Sequence, residues 1–446
     1  MKVSVLGSGY VGLVSGVCLA EKEHDVVCVD LDLDKVNKIN NGIPPIYEAG
    51  LEELLTKNVE SRRLKATTEL RDAVLNSDIT LIAVGTPFDG EVIDLSYVEV
   101  AARQIGEALK DKNSYHVVVV KSTVVPGTSD EVVLPIIESA SGKKAGVDFG
   151  VGMNPEFLRE GEAIIDFMYP DRIVLGGGDE RTHAVLEQLY SSFAGVDILK
   201  TNNSTAEMIK YASNSLLATM ISFSNEIGNL CSLIEGIDAV DVFNGVHLDK
   251  RVSPIMNDGK RVVPSLTSYL EAGCGFGGSC FPKDVKALVA YGKRKNMRMN
   301  LLDSVMAVNR DQPQQMINRL TKHIPDLAGK TISVLGLAFK PGTDDMRESP
   351  AIPIIMWLHE QGCKVKAYDP IAQHEAEAVF EHYDIEYCSK LSEAIDDVDA
   401  IMLITRWDDF KNIGQLIREK NPQPLLVDGR RMIDKNSIEN YEGIGV

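Results

Sequence analysis

The stretch Gly273-Cys274-Gly275-Phe276-Gly277-Gly278-Ser279-Cys280-Phe281-Pro282-Lys283-Asp284 sets a thiol, an ammonium and a carboxylate close together behind a run of glycines. Glycine at 273, 275, 277 and 278 permits positive φ and lets a ligand approach the main chain. Pro282 suits the first turn of a helix, so Cys280 falls where the loop gives way to that helix. A thiol near a helix N-terminus and a lysine has its pKa lowered from about 8.5 towards neutrality, which supplies the nucleophilic thiolate. Cys280 is therefore the candidate nucleophile. The alternative for a lone cysteine is an inert thiol buried in a glycine hinge.

The elements that must position this chemistry begin at the N-terminus. Residues 3–6 read as a buried parallel strand, followed by Gly7-Ser8-Gly9-Tyr10-Val11-Gly12, a small and apolar helix over 13–23, and a second strand at 26–29 ending at Asp30. This is the dinucleotide fingerprint in its required context: glycines for the tight turn and the pyrophosphate, and a helix N-terminus for its charge. Asp30 would accept from ribose hydroxyls and repel a 2′-phosphate, which favours NAD over NADP. Further strands at 79–84, 117–120, 149–152 and 172–175 alternate with amphipathic stretches such as 95–109, the doubly wound α/β pattern. Ligands bind beyond the carboxyl ends of such strands, where Gly85-Thr86-Pro87, Ser122-Thr123 and Asn154-Pro155-Glu156 fall.

Glu156 and Glu160 would share one face if their segment were helical; the plain alternative is a solvated acidic edge. A long helix from Ser204 to about Ile234 is predicted, capped by Ser204 or Thr205 with Ser204-Thr205-Ala206-Glu207 as a capping box. Lys210 and Asn214 lie one turn apart on it, and Lys210 either snorkels to water or meets an oxyanion. Residues 251–269 look like a basic loop, helical patterns resume over 284–306, and strands at 331–335, 365–369, 400–404 and 425–427 predict a second nucleotide-type fold without the full glycine fingerprint. Lys340, Arg347, Arg430 and Arg431 fall at its strand ends or loops and suit phosphates, although Arg431 reads first as an ordinary surface arginine.

The chain has 446 residues, enough for about three domains. A net charge of −19 argues against a nucleic-acid or anionic membrane partner. The seven cysteines are scattered and include no C-x-x-C pair, so neither a disulfide scaffold nor a metal site is expected. There is no signal-peptide pattern and no apolar run long enough to cross a bilayer, so the expected compartment is the cytoplasm.

Together these motifs resemble the UDP-glucose/GDP-mannose dehydrogenase family over essentially the whole chain, the cysteine motif being its specific mark. Alongside the stretches above, the resemblance is carried by Asn154-Pro155-Glu156-Phe157-Leu158, Ala338-Phe339-Lys340 with Arg347-Glu348-Ser349, and Asp428-Gly429-Arg430-Arg431. It implies two Rossmann-like domains: an NAD-binding one at 1–200 and a UDP-sugar-binding one at 311–446. Between them, 201–310 would be a central helical dimerisation region carrying the cysteine loop. It implies oxidation of a nucleotide sugar at C6 in two steps, with two NAD reduced and a uronic acid released, UDP-glucose standing first among the sugars. Cys280 would form a thiohemiacetal and then a thioester, Lys210 and Asn214 would steady the oxyanion, and Asp284 would orient or activate water. Thr123, Glu156 and Glu160 would complete the acid/base and water network.

The same resemblance places NAD against Gly7, Gly9, Tyr10, Val11, Gly12, Asp30, Lys35, Thr86, Thr123, Glu160 and Arg347. It places the nucleotide sugar against Glu156, Phe157, Leu158, Lys210, Asn214, Tyr269, Gly275, Phe276, Gly277, Phe339, Lys340 and Arg430. Arg251 would reach the site of a neighbouring subunit in a homodimer or higher homo-oligomer. One departure is a segment at 253–265 longer than the family leads one to expect, beside the sugar pocket; another is Cys274, either a spectator or the partner of Cys280 in a regulatory disulfide. The competing readings are the same oxidation of GDP-mannose or an N-acetylated UDP-hexosamine, a two-electron β-hydroxyacid-type dehydrogenase, and a noncatalytic nucleotide-sugar sensor.

Overall fold

The runs of valine, isoleucine and leucine become strands because both faces of each are buried, as parallel sheets covered by helices require. The computed structural model describes every residue from Met1 to Val446 and resolves into two compact units, Met1–Ser213 and Asn214–Val446.

The first unit carries β1 (Lys2–Leu6), β2 (Asp25–Val29), β3 (Leu64–Thr67), β4 (Ile79–Ile82), β5 (His116–Val120), β6 (Phe149–Met153), β7 (Arg172–Gly177) and β8 (Asp197–Thr201). Their order is β3-β2-β1-β4-β5-β6-β7-β8. Successive residues of β5 feed opposite cores, Val117 and Val119 one and Val118 and Val120 the other. The strand expected at 172–175 departs from the parallel pattern: β7 runs antiparallel to β6 and pairs in parallel with β8. The carboxyl ends of β4, β5 and β6, adjacent and parallel, carry the three polar turns.

Helix α1 (Tyr10–Glu21) starts three residues before the expected 13–23, inside the fingerprint, with Gly9 as its N-cap. Gly7, at φ +90°, is obligatory: a Cβ there would lie 2.7 Å from the Ala83 carbonyl oxygen.

The second unit repeats the topology. Strands β9 (Thr331–Leu335), β10 (Lys364–Tyr368), β11 (Ile385–Tyr387), β12 (Ala400–Leu403), β13 (Leu425–Asp428) and β14 (Tyr441–Gly443) are ordered β11-β10-β9-β12-β13-β14, the 3-2-1-4-5-6 winding of a Rossmann sheet. At the end of β10, where the first unit has Asp30, stands Asp369, 2% exposed. It accepts from the amides of Leu337 (2.7 Å) and Ala338 (3.2 Å) and from Trp407 Nε1 (3.1 Å). Its acceptors are spent inside the protein, which explains physically why this turn lacks a dinucleotide fingerprint.

Helix α2 (Asn203–Cys231) contains the boundary between the units. Its cap differs from the expectation: Asn202 Oδ1, not Ser204 or Thr205, accepts from the Thr205 amide at 2.8 Å. Glu207 does not close a capping box either. It is buried and accepts from the amides of Gly127 (2.6 Å) and Ser129 (2.8 Å) and from Ser129 Oγ (2.7 Å); burial pushes its carboxyl up to about 7 against those hydrogen bonds.

The helical region expected at 284–306 is two helices, α3 (Phe281–Arg294) and α4 (Asn300–His323), broken where Asn296 adopts φ +59°. The 253–265 segment forms a small hairpin, Met256 N donating to Lys260 O (2.8 Å) and Val262 N to Pro254 O (2.9 Å).

Arg431 is no surface arginine. Its guanidinium, 7% exposed, grips Asp238 with two bonds of 2.9 Å, while Lys435 approaches the same carboxylate at 2.7 Å. Asp238 also caps the Ala239–His247 helix. Burial raises the Asp238 carboxyl, but the arginine and lysine outweigh it and hold it below the usual range. Its stabilising share is therefore complete above about pH 4 and fades as pH falls. Removing one partner of a buried pair costs about 3–5 kcal/mol. We expect Arg431→Leu to lose that much in denaturant unfolding at pH 7, and less at pH 3.

Candidate active site

In the first unit the site is built on strand ends. Gly9 caps α1 without a side chain, and a Cβ placed on it would meet nothing within 4 Å. The first amides of α1 thus face an open cradle of the kind a pyrophosphate fills. Asp30 is half-buried and accepts from Ser8 N (2.9 Å), Ser8 Oγ (2.5 Å) and Asp32 N (3.0 Å). Burial pushes its carboxyl up, but these bonds and nearby Lys35 prevail and keep it below the ordinary carboxylate range. An ionised acid at this place fits a ribose diol and opposes a 2′-phosphate, so the residues present fit NAD. Thr86 Oγ1 donates to Thr123 O at 2.8 Å, tying two of the expected cofactor-contact turns together.

Residues 154–160 are not helical, so Glu156 and Glu160 do not share a helix face. Glu156 is buried and meets Lys210 Nζ at 2.7 Å; its other oxygen accepts from Leu158 N at 2.6 Å. Burial raises the Glu156 carboxyl, but Lys210 chiefly, with Lys121 adding to it, holds it low. Lys210 is thus 3% exposed and paired, which excludes snorkelling. Phe157 lies under the Arg172 guanidinium, 3.9 Å from ring centroid to Cζ. Half-buried Glu160 precedes Gly161, whose amide donates to Glu48 at 2.7 Å, and Glu48 also accepts from Tyr10 Oη. Glu48 therefore ties the fingerprint helix to the Glu160 loop; it sits in a plain loop, and no sequence motif marks it.

In the second unit Cys280 is the N-cap of α3, half-buried, with Ser279 Oγ 3.6 Å from its sulfur. Asp284, 1% exposed, accepts from Asn214 Nδ2 and Lys283 Nζ, both at 2.7 Å. Lys283, expected to favour the thiolate, makes its ion pair with Asp284. The glycine loop is held by side-chain amides absent from the sequence reading: Asn225 Oδ1 accepts from Gly273 N (2.8 Å), Gln312 Nε2 donates to Gly273 O (2.7 Å), and Asn309 pairs twice with the Phe276 backbone (2.8 and 2.9 Å).

Gly278, at φ +82°, admits no Cβ, which would come within 2.7 Å of the Phe339 ring. Arg430 holds the same loop through Gly275 O (3.2 Å) and is itself anchored on Ile404 O, just after β12 (2.6 Å). Tyr269 and Phe276 pack on Phe281 at 6.4 and 6.0 Å. Lys340 Nζ lies 5.8 Å from the Phe339 ring. Arg347 is exposed and pairs with Asp345 (2.8 Å); Arg251 is 90% exposed and pairs with Asp249. Cys274 is buried with its sulfur 3.3 Å from Ile404 O, and all seven cysteines are free thiols. No cluster of metal-binding side chains occurs, and no helix is long and apolar enough to cross a membrane.

Three family models match in succession. Residues 1–194 match the NAD binding domain, 204–311 the central domain and 333–435 the UDP binding domain of the UDP-glucose/GDP-mannose dehydrogenase family. The chain belongs to the UDP-glucose/GDP-mannose dehydrogenase family. Among its members, UDP-glucose 6-dehydrogenase TuaD of Bacillus subtilis is 44% identical, the match covering 100% of this chain and 91% of that protein. UDP-glucose 6-dehydrogenase AglM of Haloferax volcanii is 40% identical with both chains fully covered. A solved family structure, the UDP-glucose dehydrogenase of Pyrobaculum islandicum, is 39% identical at a TM-score of 0.89, covering 99% of this chain and 97% of that one. As a member of this dehydrogenase family, the chain is an NAD-dependent oxidoreductase.

Asp30 gives the cofactor prediction. NADP is expected to be used with kcat/KM at least about 100-fold below that for NAD, since a 2′-phosphate would meet a desolvated carboxylate. Asp30→Asn should narrow the gap about tenfold, as measured by initial rates with each cofactor.

Proposed function

We propose that the chain oxidises UDP-glucose to UDP-glucuronate in two steps. The reading is carried by a thiol at the N-terminus of α3 beside a buried Asp284–Asn214 pair, in a chain whose first unit is an NAD-binding Rossmann fold. Support for the sugar comes from relatives of 39–44% identity over nearly the whole chain that are UDP-glucose 6-dehydrogenases. The UDP-D-ManNAc dehydrogenase of Pyrococcus horikoshii is 28% identical.

NAD, when bound, supplies the hydride acceptor for each oxidation. The residues supply the rest. Glu156, Thr123 and water take up the C6 hydroxyl proton. Cys280 adds to the resulting aldehyde; the new C–S bond gives a thiohemiacetal whose C6 hydrogen can again leave as hydride, and the product of that loss is a thioester. Lys210 and Asn214, a turn apart on α2, donate to the developing oxyanion. Asp284 and Glu160 direct the water that releases the acid and returns the thiol. Tyr10, Val11, Gly12, Lys35, Thr86 and Arg347 contact the cofactor, and Leu158, Phe157, Tyr269, the 275–277 loop, Phe339, Lys340 and Arg430 contact the nucleotide sugar.

In this proposal residues 1–200, 201–310 and 311–446 act as cofactor, assembly and nucleotide-sugar parts of a cytoplasmic homodimer to whose neighbouring site Arg251 contributes. The experiment is a substrate panel of UDP-glucose, GDP-mannose and UDP-N-acetylmannosamine scored by NADH. Two NADH per UDP-glucose, with the other sugars at least about 100-fold slower in kcat/KM, is expected. Preference for another sugar would replace the substrate, and absence of NADH with all three would leave a binding protein.

A further inference from the structure

Behind Glu156 lies a second buried ammonium. Lys121 is 3% exposed and directly follows β5 and its four valines. Its ammonium donates to Asn154 Oδ1 at 2.9 Å. The same oxygen accepts from Tyr190 Oη at 2.5 Å, and Asn154 Nδ2 donates to Val174 O at 2.9 Å, so the Asn154 amide is locked between β5 and β7. Two residues on, Glu156 meets Lys210.

A lysine so buried, with a neutral acceptor in contact, is costly to keep charged. Burial brings its pKa down to about 8; Glu156 opposes the fall and Lys210 adds to it. The groups facing it are Glu156 from the turn after β6, Lys210 from α2, Tyr190 after the Glu180–Leu189 helix and the Phe167 ring at 5.7 Å. A methionine would fill the same space without that cost. The ammonium is therefore retained for its charge, and the charge that gains is the Glu156 carboxylate.

We propose that Lys121 is a positioning residue for the oxidation, fixing Asn154 and thereby the Asn154-Pro155-Glu156 turn, and keeping Glu156 ionised opposite Lys210. With Lys121 protonated, the two ammoniums and one carboxylate carry net positive charge, so Lys210 is not neutralised by its partner and can still attract an oxyanion. This rests on the proposed dehydrogenase reading.

The test is the pH dependence of kcat with UDP-glucose and NAD for the wild type, Lys121→Met, Lys121→Gln and Asn154→Asp. Since Lys121 holds the Glu156 carboxyl low, activity that needs the carboxylate is lost as pH falls, and without Lys121 the loss comes at higher pH. An upward displacement of the acid limb by about one pH unit is expected in each variant, with kcat at pH 7 down about tenfold and KM for UDP-glucose within about threefold. A lysine with only a packing role would lower the yield of folded protein or kcat without displacing the limb. Asn154→Asp keeps the lysine but draws its charge to a new partner, so it reports even if the lysine variants do not fold. An unmoved acid limb in any folded variant overturns the proposal while leaving the dehydrogenase reading intact. A wild type that makes no NADH overturns both.

Discussion

Cys280→Ala is expected to lower uronate formation by at least about 1,000-fold while leaving UDP-glucose binding within about threefold of the wild type. An aldehyde gives up hydride only after a nucleophile has added, because only the tetrahedral adduct carries electron density able to expel hydrogen with its electron pair. Alanine at this position leaves the glycine loop, its Asn225, Asn309 and Gln312 supports and the α3 N-terminus in place, so binding survives and the second oxidation does not. Cys280→Ser should differ in kind. An alkoxide precursor is harder to form than a thiolate and an oxygen ester hydrolyses more slowly than a thioester, so the enzyme is expected to stall after addition. Uronate assay and titration calorimetry check the alanine variant; wild-type turnover in it would remove the covalent mechanism.

Lys210→Met is expected to lower kcat by about 100- to 1,000-fold through loss of an oxyanion donor. It also leaves Glu156, 6% exposed, without its ion-pair partner, and breaking such a buried pair destabilises by about 3–5 kcal/mol. The two effects are separable. In Lys210→Met/Glu156→Gln the uncompensated charge is gone, so most of the stability should return in denaturant unfolding while turnover stays low. Recovery of turnover together with stability would show that neither Lys210 nor Glu156 serves the chemistry and that their pair serves only the fold.

How much of this was legible in the sequence follows from where the signals reside. Strands β1, β2, β4, β5, β9, β10, β12 and β13 lie inside their sheets, covered on both faces, and read as apolar runs. The strands that escaped, β3, β8, β11 and β14, are the edge strands of the two sheets; β11 and β14 have three residues each, and β8 is exposed along nearly its whole length. The antiparallel sense of β7 has no local mark, since direction is set by how the chain returns through the short Ala163–Met168 helix. Glu207 looked like a capping-box residue because the motif is defined by spacing alone; the amides of Gly127 and Ser129, far off in sequence, won it.

In the candidate site, the residues that a tight motif singles out are those whose chemistry is unusual: Cys280, Asp284, Asp30 and the Lys210–Asn214 spacing. Their supports are not so marked. Glu48, Asn225, Asn309 and Gln312 act on backbone tens of residues away, and nothing in a one-dimensional pattern distinguishes them from other polar side chains. Lys121 did leave a trace, as a charged residue closing an all-valine run.

The most direct measurement is the mass of the Cys280 peptide after acid quench during the first turnovers with UDP-glucose and NAD. A mass increase of one nucleotide sugar on Cys280, lost on mild base with release of UDP-glucuronate, is the result this account predicts. An unmodified Cys280 at every quench time, in an enzyme steadily making UDP-glucuronate, would contradict it.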